Sequence, residues 1–430
     1  MELRKTVTEP AREIPVAGEA DVLVVGGGLA GVSAALAAAR CGAKVILLEK
    51  SCVLGGLATL GHVCIYLPLD DGAGHKIYGG QAEELLYTCI RYGYDDLPDC
   101  WRGGPDYVAE PTGRYKAAFN IPAAVCALDE LMEEAGVRVL FDTAFCDVLM
   151  EGDAVRGVLA ENKSGRCCYL AKMFVDASGD SDLLSRAGAG TETARDNIVS
   201  HWFYELDLDS PALREGMAEK NVLKALPLRW LGLRPDRDNS GSALPTFDGT
   251  TVEGVNAYLR VSRRLALEDL KAHARPGRAQ LTLPMMPQFR MTRRLAGVKE
   301  LALDPGVSIP DSVGCVIFSL AAPAAVFEFP YGGLIDRRVT NVLAAGRMVS
   351  AGGKGWEIMR FIPACVLTGQ AAGTAAALAA DKGCAVQALP VEALQKVLAA
   401  AGVKLHMDDA VRGNRAMGQP FRPPRPAAEH

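Results

Sequence analysis

The sequence predicts an α/β protein in which a Rossmann-like parallel sheet carries a β-meander, and a second, discontinuous mixed α+β domain is interleaved with it. Three observations predict this. A β-branched run, Val22-Leu23-Val24-Val25, meets Gly26-Gly27-Gly28 and then an alanine-rich stretch. Turn residues at short spacing divide Val137 to Asp176 into strands. Further strand, glycine and helix pieces appear much later, from Thr340 onward. A chain of 430 residues also exceeds a typical single core, so two interleaved domains are expected.

The first strand ends at Val25, and Gly26, Gly28 and Gly31 satisfy G-x-G-x-x-G between it and a helix from Leu29 to Arg40. Gly26 permits the tight turn. Gly28 lets the backbone approach a pyrophosphate seated on the helix N-terminus, and Gly31 lets that helix pack closely on the strand. A second strand, within "AKVILLEK", ends in Glu49, 18 residues beyond Gly31, close to the separation at which an acid reaches the ribose hydroxyls of a dinucleotide. NAD and FAD share this fingerprint. The second glycine pair, Gly55-Gly56, followed by Thr59, continues along the pyrophosphate and toward a flavin ring, or is an ordinary glycine-rich loop. An NAD dehydrogenase would complete its nucleotide domain locally, whereas here nucleotide-like pieces resume far downstream.

Those pieces have an order. Val137 to Phe141 reads as a strand, three short strands follow with turns at Glu151-Gly152-Asp153 and Asn162 to Gly165, and Lys172 to Asp176 is a further strand. Such turn spacing indicates an antiparallel meander. The small residues Ala177-Ser178-Gly179 again let a backbone pass close to a ligand. "TNVLAAGRMVS" gives a strand into Gly346-Arg347, and an uncharged helix begins at about Pro363. From Phe361 to Ala380 it is long enough to cross a bilayer, but its Ala, Gly, Thr and Gln content favours a buried helix of a soluble protein.

A net charge of −5 and a pI near 5.8, with no basic block, argue against nucleic acid and anionic membranes and for a small-molecule partner. The 12 cysteines lack a framework spacing and read as reduced cytoplasmic thiols, with no metal cluster. The start, "MELRKTVTEPAREIP", is polar, so export is not expected. "LPVEALQKVLAAAG" reads as a small surface helix, and the tail "GQPFRPPRPAAEH" as low in order.

In this order the pieces resemble the glutathione-reductase-type FAD flavoproteins, and the string is similar to the bacterial family of FAD-dependent oxidoreductases. The matching stretches are "DVLVVGGGLAGVSAALAAAR", "LGGLAT", "VDASGDSDLLSRAGA", "QFRMTRRLAG", "NVLAAGRMVSA" and "RFIPACVLTGQAAGTAAALAA". The likeness runs from about Ile14 to Ala380 and is weaker from Thr191 to Pro284. It implies a FAD-binding domain from residues 14–60, 120–189 and 334–381, a substrate domain from 61–119 and 190–333, and a C-terminal helix and tail from 382–430. By the same resemblance Gly26, Gly28, Leu29, Ala30 and Gly31 would hold the pyrophosphate, Glu49 and Lys50 the adenosine ribose, and Gly55, Gly56, Leu57 and Thr59 the flavin side. Phe145 would border the adenine, with Ala177, Ser178 and Gly179 over the same half. Gly346 and Arg347 would touch the ribityl or phosphates, although many relatives carry Asp where this chain has Arg347. Gly369, Gln370, Ala371 and Ala372 would present helix amides to the flavin.

The implied reaction is hydride transfer between a small molecule and flavin N5. The loop after Thr59 offers His62 as acid or base, or as a solvated or core-bonded histidine. Arg290, Arg293 and Arg360 are expected to orient substrate or stabilise an oxyanion, the alternative being a solvated face or a domain salt bridge. Tyr331 would cap the flavin face or belong to the core. A second dinucleotide motif is missing, so a dedicated NAD(P)H domain is not expected, and the electron donor or acceptor is left open. A non-catalytic flavin-binding protein is compatible with every glycine motif. A flavin-dependent RNA-modifying enzyme would need a basic, aromatic face, which is not visible.

Overall fold

The run Val22-Leu23-Val24 is completely enclosed, because it forms the inner half of a central strand, β1 (Val16–Val25), of a seven-stranded sheet. In this computed structural model residues 7–234, 238–318 and 322–417 are described. The first residues of the polar start, 1–6, and the proline-rich tail, 418–430, lie outside the described residues. Helix α1 (Leu29–Arg40) follows β1, and then come β2 (Val45–Leu48), β3 (Arg138–Leu140), β4 (Ala144–Glu151), β5 (Ala154–Asn162), β6 (Gly165–Asp176) and, far downstream, β7 (Val342–Ala344). The sheet order is β3-β2-β1-β6-β5-β4, with β7 also on β6. Pairs β3/β2, β2/β1, β1/β6 and β6/β7 are parallel, whereas β4/β5 and β5/β6 form the antiparallel meander.

One boundary differs from the sequence reading. The third meander strand and Lys172–Asp176 are a single 12-residue strand, β6. One edge of β6 is shared, with Gly165–Leu170 bonded to β5 and Phe174–Asp176 to β7, while β1 runs along the other. A strand that leaves a meander partner for a parallel one needs no turn, so there is no turn chemistry to read.

The helix that is uncharged up to Ala380 is α3, Ile362–Lys382, and it is a core helix, the one described helix long and apolar enough to cross a membrane. Its closeness to α1 has a simple cause. A Cβ added at Gly369 would lie 2.2 Å from the Ala30 carbonyl oxygen, and one at Gly373 2.0 Å from that of Ala34. Two glycines one turn apart let α1 and α3 touch backbone to backbone. The C-terminal helix Val391–Ala400 buries only Leu394 and Leu398.

A separate three-stranded antiparallel sheet has Leu228–Gly232, Ser200–Asp207 and Arg278–Gln280 in spatial order. Helix α2 (Val252–Ala272) carries Tyr258 into a small apolar cluster with Val199, Phe247 and Phe289. The following segment is fastened to the loop after α1 and β2. Met285 and Met286 N–H groups donate to the Leu60 carbonyl at 2.8 and 3.2 Å, and Gln288 Nε2 donates to the Gly61 carbonyl at 2.5 Å.

Candidate dinucleotide and substrate site

A cavity of about 620 Å³ opens along the carboxyl ends of β1, β2, β6 and β7, where ligands sit in open parallel sheets. Its wall contains Gly26, Gly28, Leu29, Ala30, Glu49, Lys50, Gly55, Gly56 and Leu57 from the first two strand ends. Phe145, Ala177, Ser178, Gly179, Gly346 and Arg347 join them from β4 and the ends of β6 and β7. Gly26 is required by its φ of +103° and because a Cβ there would lie 2.5 Å from the Ala177 carbonyl oxygen. Around Gly28 a Cβ would meet nothing within 4 Å, so the backbone at the start of α1 faces open space. The first turn of α1 carries no acidic residue, and its free N–H groups and dipole are available to an anion.

Glu49 is buried in this wall, accepting from Gly27 N–H and Ser51 N–H at 2.7 Å each. A carboxylate has about four acceptor positions. Two therefore remain open for further donors. Arg347 donates through Nε to the Gly179 carbonyl and through Nη2 to Asp180 Oδ1, both at 2.8 Å. It braces the β6 end against the β7 end.

Several expected ligand residues serve the frame instead. Gly31 does not reach the cavity wall, since a Cβ there would sit 1.8 Å from the Gly26 carbonyl oxygen and its function is to let α1 pack. Thr59 donates to Leu54 and Gly56 carbonyls, closing its own loop. Gly369, Gln370, Ala371 and Ala372 are buried two turns into α3, where amides are already paired within the helix. Gln370 Oε1 accepts from Gln81 N–H, and the α3 residues that reach the wall are Ile362 and Cys365, at its start.

The proposed reaction residues separate too. Arg290 and Arg360 line the cavity. His62 does not; its Nδ1 lies 3.0 Å from the Trp202 carbonyl, and burial lowers its pKa against that hydrogen bond. Arg293 is spent on the Asp180 carbonyl, Ser185 Oγ and the Asp182 carboxylate, at 2.8, 2.7 and 2.7 Å. Tyr331 is a core residue whose hydroxyl donates to the Val386 carbonyl at 2.8 Å. Each of these three types is chemically able to serve a site, but the sequence does not record which way a side chain faces.

Arg290 is held from two directions. Its Nη2 donates to Gln288 Oε1 at 3.0 Å, and its guanidinium lies 5.5 Å from the centre of the Trp202 ring. Burial first, then the charges of Arg360 and Arg347, pull the Arg290 pKa below its ordinary value. Burial likewise lowers that of Arg360, with Glu357 opposing. Arg360 Nε is buried without a hydrogen-bond partner among the described residues.

The sequence reading missed other parts of this wall, among them Thr250 and Thr251 at the start of α2, Val255 one turn on, and Met285, Met286 and Phe289. Thr251 was detectable as a helix N-cap, since its Oγ1 accepts from Gly254 N–H. Its nearness to the cavity carried no local signal.

A family model described as FAD dependent oxidoreductase matches residues 21–205 and 314–398. Among solved structures, the chain is similar to p-nitrophenol 4-monooxygenase from Pseudomonas putida DLL-E4, with 15% identity, a TM-score of 0.48, and coverage of 92% of this chain and 91% of that one. It is similar to a geranylgeranyl bacteriochlorophyll reductase-like protein from Thermoplasma acidophilum at 14% identity and a TM-score of 0.44, covering 92% and 95%. The 3-ketosteroid-delta4-(5alpha)-dehydrogenase of Rhodococcus jostii RHA1 matches at 15% identity and a TM-score of 0.37, covering 84% and 97%.

Proposed function

We propose that this chain, which belongs to the FAD-dependent oxidoreductase family, moves a hydride between a small-molecule substrate and its FAD within the cavity described above. The observation that carries the reading is the continuity of that cavity. One end is a glycine-lined strip at the start of α1, and the other is walled by Arg290, Phe289 and the start of α2.

FAD is the cofactor, and the wall suits it. The open backbone at Gly28 and the α1 N-terminus would take the pyrophosphate, Glu49 the ribose hydroxyls, and Gly55 to Leu57 the flavin side. When bound, FAD supplies two-electron chemistry by exchanging a hydride at N5. The chain's own work is placement. Arg290, pinned by Gln288 and Trp202, and Arg360 would hold the substrate and stabilise negative charge on it. Val255, Met286 and Phe289 would keep water from the reacting end. Cys365 is pushed up to about 12 by burial and stays a neutral thiol.

The same reading treats the chain as glutathione-reductase-type, acting in the cytoplasm, with 14–60, 120–189 and 334–381 as the cofactor domain and 61–119 with 190–333 as the substrate domain. It treats the enzyme as a dehydrogenase or reductase whose electrons pass to or from a partner other than dioxygen. The test is to reduce the FAD-loaded protein without air and time its reoxidation in aerated buffer. We expect slow reoxidation. Reoxidation within seconds would replace this reading with an oxidase or monooxygenase, and a protein that takes up no FAD would overturn it entirely.

A further inference from the structure

Among the described residues the cations of the cavity wall are Lys50 and Arg347 at the strand ends on the nucleotide side, and Arg290 and Arg360 away from those strand ends. Three carboxylates stand in the wall among the described residues, and each is already served. Glu49 accepts two backbone N–H groups, Asp180 is paired with Arg347 and bonded by Thr292, and Asp182 is paired with Arg293. All three belong to the strand ends on the nucleotide side. The segments 249–255 and 285–290 contribute no acidic residue to the wall among the described residues.

Among the described residues neither Arg290 nor Arg360 is joined to a carboxylate in an ion pair, although the charge of Glu357 acts on Arg360. Arg290 has a neutral amide oxygen and an aromatic face as its partners. Arg360 has an unpartnered buried Nε, with Phe361 beneath its guanidinium at 5.5 Å. Two guanidinium groups lining one concave and partly dry cavity, one of them with a buried and unpartnered Nε, are costly unless an anion joins them. With the FAD pyrophosphate placed at α1 as proposed above, these arginines would be free to meet a second anion.

The remaining surface at this end is apolar. Val255, Met286 and Phe289 stand in the wall, and Val252 and Met285 form an exposed lip, 65% and 70% accessible. We propose that the substrate is a carboxylate with an apolar body, its carboxylate bridged by Arg290 and Arg360 and its body lying on Val255, Met286 and Phe289 toward the Val252–Met285 lip. This rests on the proposed oxidoreductase reading, and names the substrate class of the same site. A planar guanidinium grips a carboxylate through paired hydrogen bonds, which an ammonium cannot reproduce.

The experiment titrates hexanoate, hexanamide and acetate into the FAD-loaded protein, following heat by calorimetry and the visible flavin band. We expect saturable hexanoate binding, weaker binding of acetate, and none of hexanamide. Arg290→Gln and Arg360→Gln should each weaken hexanoate by about tenfold to a hundredfold, the range for a lost charge-assisted hydrogen bond, while FAD affinity is kept. Arg290→Lys should restore only part of it, and serves as the readout if the glutamine variant does not fold. If hexanamide binds as well as hexanoate, or no carboxylate binds to protein whose flavin is still reducible, this inference fails and the oxidoreductase reading stands. If the variants instead lose FAD, the arginines serve the cofactor and the inference fails as well. A chain that never takes up FAD would overturn the oxidoreductase reading itself.

Discussion

At the scale of the residue, Glu49 and Asp176 are both buried acids at strand ends, and their environments set them different tasks. Glu49 gives two of its acceptor positions to backbone N–H groups and keeps the others toward the cavity. Glu49→Gln turns one acceptor oxygen into a donor facing a donor, so FAD should bind about tenfold more weakly, read from the fluorescence of released flavin. Asp176 accepts from Ser178 and Leu184 N–H groups at 3.0 and 2.9 Å, yet burial raises its pKa from 3.8 to about 6. The folded protein therefore holds a proton there that the unfolded chain has lost. That contribution to stability is full below about 3.8 and disappears as pH rises through about 6. It amounts to about 1 kcal/mol between pH 5 and pH 7. Denaturation at those two values should show that Asp176→Asn lacks this component of the pH dependence, and an unchanged dependence would contradict it.

At the scale of the element, the glycines divide into those that face open space and those that face another backbone. Gly28 has open space around it, while Gly373 lies against the Ala34 carbonyl. Gly28→Ala should leave the stability of the FAD-free protein nearly unchanged and weaken FAD, because its methyl enters the room kept for the pyrophosphate. Gly373→Ala should do the reverse, costing about 1–3 kcal/mol by forcing α1 and α3 apart. Denaturant melts of the FAD-free protein separate the two outcomes. Both positions lie in glycine and alanine stretches that read alike, and only the partner across the gap distinguishes them. The same limit explains the helix-amide expectation for Gly369 to Ala372. The composition of α3 was legible, but its first turn, with the unpaired N–H groups, had to be located before any amide could be assigned to a ligand.

At the scale of the whole molecule, the cavity joins segments from across the chain, from Val25 to Cys365. Bound FAD would tie the ends of β1, β6 and β7 to the segment 285–290. Its removal should lower the melting temperature. At a hundredfold excess of FAD over its dissociation constant the holoprotein gains about 2.7 kcal/mol, and a melting point that ignores added FAD would contradict a site assembled this way.

By itself the sequence determined the strand, turn and helix that make the dinucleotide end, the parallel sheet with its meander, and the burial of α3. Those features follow from residue types a few positions apart, whose backbone preferences and apolar spacing act locally. Only the tertiary structure decided that Arg290 and Arg360 face the cavity while His62, Arg293 and Tyr331 are turned into other contacts. That choice depends on contacts such as Gln288 on the Gly61 carbonyl, between groups 227 residues apart, and no local spacing encodes which side of a segment such a contact leaves open.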